Sequence, residues 1–197
     1  LLVLALAALL HAIPAFATPL DDYVAAPDPT YSYELLSTTP GTGYTSYVYT
    51  MNSQTWRDAS EVDRPVWQHW LRVAVPDVVT HDKAMMIIAG GSNGGAAPTG
   101  TDPNMAAIAV ATQAIVVELK MIPNERIRFL DEKDYRYVNT GRNEDELIAY
   151  TWDKFISTGD ATWLARLPMT KAVVRAMDTI DAEYDITGYF VVGASKR

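Results

Sequence analysis

The stretch Ala84–Gly95 reads AMMIIAGGSNGG. Six consecutive apolar residues suit a strand buried on both faces, because a strand with one wet face alternates instead. The run breaks into a glycine-rich loop. Asp102-Pro103 then supplies an N-cap and a first-turn proline, which mark a helix start. Met105, Ile108, Ala109 and Thr112 fall on one side of that helix, at spacings of three and four. Ala114–Leu119 (AIVVEL) is the next buried strand. Strand, helix, strand in this order predicts two parallel strands joined by a right-handed crossover.

Upstream, Tyr31–Thr38 and Tyr44–Met51 carry aromatic and β-branched residues around the turn signal Pro40-Gly41-Thr42-Gly43, which predicts an antiparallel pair. His69–Val75 reads as a further strand, closed by Pro76. Downstream, Asn143-x-x-Glu146 resembles a capping box and opens a helix carrying Leu147, Ile148, Trp152 and Phe155. A second helix starts near Pro168. Its Met169, Ala172, Val173, Ala176, Met177 and Ile180 form one apolar stripe, with Lys171, Arg175, Asp178 and Asp181 elsewhere. Ile186–Val192 (ITGYFVV) reads as a third buried strand and runs into Gly193-Ala194-Ser195-Lys196-Arg197.

The sum predicts an α/β fold of a definite kind. It is the N-terminal part of an α/β-hydrolase fold, with front antiparallel strands followed by a parallel β-α-β sheet, truncated after the nucleophile strand. Other doubly wound folds share β-α-β units, so order alone sets the class and not the function. The expected division is a partial signal peptide over 1–17 and an incomplete hydrolase-like domain over 18–197, with a helical insertion at about 124–165. Leu1–Leu10 (LLVLALAALL) has the length of a signal-peptide core, and Ala15-Phe16-Ala17 fits the small-x-small rule for cleavage before Thr18. The apolar run is too short to cross about 30 Å of hydrocarbon. The expectation is a secreted or otherwise exported protein with no stable membrane insertion after cleavage.

With 49% hydrophobic residues among 197, the chain can fill one sizeable core. It has no cysteine, so neither disulfides nor thiolate metal ligands contribute. The net charge of −8 is spread along the chain, and no basic patch alternates with aromatics, which argues against nucleic acid as a partner.

Ser195 is the candidate nucleophile. A serine hydroxyl needs a base to take its proton and donors to hold the developing oxyanion. A nucleophile elbow places the serine on a sharp strand-to-helix turn, where small flanking residues let the backbones approach. Gly193 meets that need. The usual G-x-S-x-G would also place glycine at 197, where this chain has Arg197. The competing reading is a strand end with a capping serine. Gly90 and Gly91 are the candidate oxyanion-loop residues, since the loop at that place in the fold lends one N–H to the oxyanion, and the Lys196 N–H is the expected second donor. A phosphate loop is disfavoured by the lack of a following Gly-Lys-Ser/Thr, and a plain surface loop remains the alternative. Lys196 and Arg197 are open to two readings, favouring an anionic substrate or oxyanion, or solvated residues of a helix start.

A base for Ser195 is harder to find. The triad order in this fold is Ser, acid, His, and His11, His69 and His81 all precede Ser195. His69 in WQHW reads as a packing residue and His81 in THDK as an exposed turn. A metal site on Asp77, His81 and Asp82 would lack further ligands. Trp56, Trp67, Trp70, Trp152 and Trp163 read mainly as packing residues, against the alternative of a carbohydrate site. No cofactor is implied. The expected partner is a small-molecule, glycan or ester substrate.

Several stretches together resemble the PhoPQ-activated pathogenicity-related protein family. They are VWQHWLRVAVP at 66–76, AMMIIAGGSNGG at 84–95, AIVVELKMIPN at 114–124 and ITGYFVVGASKR at 186–197. The segment RNEDELIAYTWDKFISTGDATWLARLPMTKAVVRAMD is similar to it as well. The resemblance implies an exported α/β-hydrolase-like protein with an elbow of the form G-A-S-K-R-G, which carries Ser195 over as nucleophile and Gly90 and Gly91 as oxyanion-loop residues. It implies an acid and a histidine beyond residue 197. Some relatives are described as secreted proliferation repressors, so the resemblance also implies a second possibility, a non-catalytic binding or signalling protein.

Overall fold

A computed structural model describes residues 17–197, so nearly all of the predicted leader lies outside the described residues. The first element among the described residues is helix α1 (Pro19–Ala25). Thr18 caps it by accepting from the Asp21 N–H while the Asp21 carboxylate takes the Thr18 N–H. Strands β1 (Ser32–Pro40), β2 (Tyr44–Thr55) and β3 (Val66–Pro76) follow, then β4 (Lys83–Ile88), α2 (Pro103–Thr112) and β5 (Val116–Leu119). Helices α3 (Glu144–Thr158) and α4 (Arg166–Glu183) lead to β6 (Gly188–Gly193).

The strands form one sheet in the order β1-β2-β3-β5-β4-β6. β1, β2, β3 and β5 are antiparallel neighbours, and β4 is parallel to both β5 and β6. The antiparallel front strands and the parallel β-α-β unit are as expected; β5 sits between β3 and β4, and the serine-bearing strand lies on the other side of β4.

Two apolar layers explain the continuous run in β4. Ala84 and Met86 enter the large core beneath α4, with Trp67, Leu71, Val117, Leu119, Ala172, Ala176 and Ile180. Met85 and Ile87 pack on the opposite face, against Ala74, Met105, Ala109 and Val116 under α2. Alternate residues therefore point into different cores, and no position is left for a polar side chain. Asp102 caps α2 through the Asn104 N–H at 2.8 Å.

Several expectations change on contact with the structure. β6 is the outer strand among the described residues, not a buried one. Tyr189 packs on the core, but Phe190, Val191 and Val192 are 70%, 49% and 41% exposed. The apolar run predicts burial on both faces, and among the described residues those three side chains are left open. Lys171, off the apolar stripe, is nonetheless buried. Its Nζ donates to the Ala26 carbonyl at 2.6 Å and lies over the Tyr23 ring, because α1 lies against α4. Thr112 is exposed, and its hydroxyl bonds back to the Ile108 carbonyl at 2.7 Å. Asn143 makes no side-chain cap on α3. Trp152, expected on the packed face of α3, is 46% exposed. Trp56, Trp67 and Trp163 are core residues, with the first two rings 5.5 Å apart edge to face.

Candidate functional site

β4 and β6 run in register, with Ile88 opposite Gly193, so the loops after them leave the same edge of the sheet side by side. Neighbouring strands lie about 4.8 Å apart, which brings Gly90-Gly91 next to Ala194-Ser195. Ser195 is exposed and has φ of 61°. A non-glycine residue in this left-handed region costs about 1 kcal/mol or more, and such positions concentrate at functional sites. The Arg197 N–H donates back to the Ala194 carbonyl at 3.2 Å and closes a tight turn around the serine. Gly193 is needed there, since a Cβ at 193 would sit 2.9 Å from the Arg197 carbonyl carbon and oxygen.

The glycine loop is held from the other side. Met121 N–H donates to the Gly90 carbonyl at 3.2 Å, and Ile122 N–H to the Ala89 carbonyl at 3.1 Å. Gly91 has φ of 134°, a conformation side chains oppose. The N–H groups of Gly91 and Lys196 have no acceptor among the described residues. Both belong to the pair of loops that flank Ser195. Beside them a small cavity of about 110 Å³ opens between the start of α4 and the turn, lined by Ile88, Ile122, Met169, Val173, Lys196 and Arg197 among others.

The charges of Lys196 and Arg197 are spoken for. Arg197 donates from Nη2 to Glu144 Oε1 at 2.5 Å and from Nε to the Ile122 carbonyl at 2.8 Å. Lys196 Nζ lies 3.2 Å from both Glu144 and Asp145 carboxylates. Neither residue is a solvated helix-start residue. Burial acts to raise the Glu144 pKa, but the hydrogen bonds from Arg197 and Lys196 outweigh it and hold the carboxyl below its usual range. Glu144 itself has φ of 45°, and its N–H donates to Glu125 Oε2 at 2.7 Å. Glu125 is buried. Desolvation, with the nearby Glu144 charge, raises its pKa against the pull of that N–H. The capping pattern of Asn143 and Glu146 is local and gives no sign that Glu144 pairs with the serine turn.

No described histidine serves Ser195. His69 is fully buried, with Nδ1 3.1 Å from the Lys120 carbonyl and Nε2 3.0 Å from the Ser53 hydroxyl. Those partners make Nδ1 the donor and Nε2 the acceptor, which is a neutral ring with both nitrogens engaged. His81 is exposed, just before β4 and thus at the opposite edge of the sheet from Ser195. Asp82 instead binds Lys83 and Thr187, and no group of three or more His, Cys, Asp or Glu suited to a metal occurs among the described residues.

The strand order, with a serine on a left-handed turn after the strand beside the glycine loop, defines an α/β-hydrolase-like protein. The chain belongs to the PhoPQ-activated pathogenicity-related protein family, whose sequence profile matches residues 20–197. It is 40% identical over 204 residues to autocrine proliferation repressor protein A of Dictyostelium discoideum, a match that takes in 100% of this chain and 40% of that protein. The chain thus spans well under half the length of that curated relative. Among solved structures it is similar to a glucuronoyl esterase from Solibacter usitatus, at 14% identity and a TM-score of 0.46, over 90% of this chain and 50% of that one. It is also similar to an S-formylglutathione hydrolase from Agrobacterium tumefaciens, at 16% identity and a TM-score of 0.44, over 83% of this chain and 53% of that one. Likenesses at that level carry no functional argument, and the fold rests on the strand order and the family. No described helix is long and apolar enough to cross a membrane.

Proposed function

We propose that the chain is the nucleophile-bearing part of an exported serine hydrolase acting on esters or related acyl bonds. The observation that carries this reading is the strained, exposed Ser195 at φ 61°, seated beside a glycine loop with unengaged N–H groups. Ser195 Oγ attacks the acyl carbon and gives its proton to a base, and the carbonyl oxygen becomes the oxyanion. N–H groups of the Gly90–Gly91 loop and of Lys196 stabilise that charge. Collapse expels the alcohol, which takes the proton from the base, and water then frees the acyl group by the same steps in reverse roles. The base is a histidine, oriented by an acid, and both lie outside residues 17–197. By itself the 197-residue chain is therefore inactive. Export rests on the leader-like residues 1–17, and a secreted product beginning at Thr18 is its direct check.

The test uses the full-length protein. A fluorophosphonate probe attaches to Ser195, and Ser195→Ala lowers kcat on simple chromogenic esters about 10⁴-fold or more. Absence of both labelling and turnover would sink the reading. A second reading, a secreted non-catalytic signalling protein on the same fold, draws support from the 40% identity to autocrine proliferation repressor protein A. Ser195→Ala separates the two: full biological activity without the hydroxyl favours signalling.

A further inference from the structure

With Lys196 and Arg197 paired to carboxylates, selectivity for an anionic substrate has to come from elsewhere, and a second cluster of cations lies on the same edge of the sheet. A cavity of about 270 Å³ is lined by Arg64, Arg126 and Arg128 with Asp63, Ser92, Asn93, Asn139 and Thr140. Asp63 is committed to Arg128, whose Nε lies 3.0 Å from its carboxylate and whose N–H lies 2.8 Å from it. Arg64 and Arg126 have no carboxylate partner among the described residues, and the one hydrogen bond of the Arg126 side chain there runs to the Gly141 carbonyl at 3.3 Å. The lining therefore keeps two positive charges in a chain of net charge −8. Asn93 Nδ2, on the same lining, is shut off from solvent and donates to nothing in the structure.

The cavity adjoins the serine turn through named contacts. Ser92 and Asn93 continue the Gly90-Gly91 loop, and their backbones pair with Glu125. Glu125 holds the Glu144 N–H, and Glu144 holds Lys196 and Arg197. Arg126 is the residue after Glu125. The cavity thus shares with the serine turn the loop that carries Gly90 and Gly91.

We infer that this arginine-lined cavity binds an anionic oxygen group, carboxylate or phosphate, on the ester substrate, so that the enzyme prefers acidic esters. The inference rests on the serine hydrolase reading. Guanidinium forks suit such groups because they donate paired, charge-assisted hydrogen bonds. The test on the full-length protein has two arms. Calorimetric titration with succinate and with inorganic phosphate finds one or both bound, more weakly as salt rises, with affinity about tenfold lower in Arg126→Gln or Arg64→Gln. Two separate single variants, each checked for an unchanged melt, guard against one that fails to fold. In the second arm, the ratio of kcat/KM for 4-nitrophenyl hydrogen succinate over 4-nitrophenyl butyrate falls about tenfold in the same variants. Neither anion bound, or binding unchanged in both variants, overturns the site. An unchanged ester ratio overturns its role in substrate choice. If no ester is turned over and Ser195 takes no probe, the hydrolase reading fails, while the titrations still decide the anion site.

Discussion

Ser195 is held in a conformation its own side chain disfavours, and the residues around it show what enforces that. Gly193 lets the Arg197 backbone come within contact distance, the Ala194 carbonyl ties the turn shut, and Glu144 anchors the two basic residues that follow the serine. A methyl group at 193 would meet Arg197 backbone atoms at 2.9 Å, so the turn would have to open. Gly193→Ala in the full-length protein is thus expected to slow fluorophosphonate attachment to Ser195 about 100-fold, the scale of a displacement near 1 Å. The melting temperature is measured alongside, so that a local opening of the turn is told apart from loss of the fold. Labelling at the wild-type rate would mean that the tight turn does not position the hydroxyl. Gly193 was readable from sequence because its requirement is local, two residues from the serine. Glu144 was not, since it lies 53 residues before Arg197 and only the folded chain joins them.

At the scale of elements, β4 and β6 look alike in sequence and differ in surroundings. Both are continuous apolar runs, and for β4 the inference of two buried faces holds because α2 and α4 cover it from opposite sides. Among the described residues β6 has only β4 beside it, and its Phe190, at 70% exposure, borders a cavity of about 530 Å³ with Met85, Ile108 and Ala114. Exposed apolar residues on an outer strand favour association through that edge. The 197-residue chain is expected to self-associate at micromolar concentration, and Phe190→Ser to shift it toward monomer in light-scattering chromatography. Since Phe190 contributes little to the core, the variant should melt within a few degrees of the parent. A parent that stays monomeric would remove the argument. The element order, the Asp102 cap and the α4 stripe were all legible because periodicity and capping are local. Burial of Lys171 and exposure of Phe190 were not, because each depends on what an element distant in sequence does or does not cover.

For the molecule as a whole, His69 couples folding to pH. It is fixed between the Ser53 hydroxyl on β2 and the Lys120 carbonyl after β5, so it pins three strands at the edge that carries the serine turn. Burial lowers its pKa from 6.5 to about 4, with the Lys120 and Met121 backbone acting in the opposite sense. An unfolded chain takes up a proton at about 6.5 that the folded chain refuses until about 4. The stability this group supplies is therefore complete above pH 6.5 and is lost as the pH falls toward 4. Going from pH 7 to pH 5 should cost about 2 kcal/mol in urea unfolding, at about 1.4 kcal/mol per unit over most of that span. Glu125 works in the other direction, since its raised pKa makes the fold more tolerant of acid, so total stability alone does not isolate His69. The comparison that does is His69→Gln, which lacks the titrating ring. The variant is less stable at pH 7 because an amide fits the Ser53 and Lys120 partners less well, yet its stability should change far less between pH 7 and pH 5. Equal pH dependence in variant and parent would show that His69 does not carry the acid sensitivity.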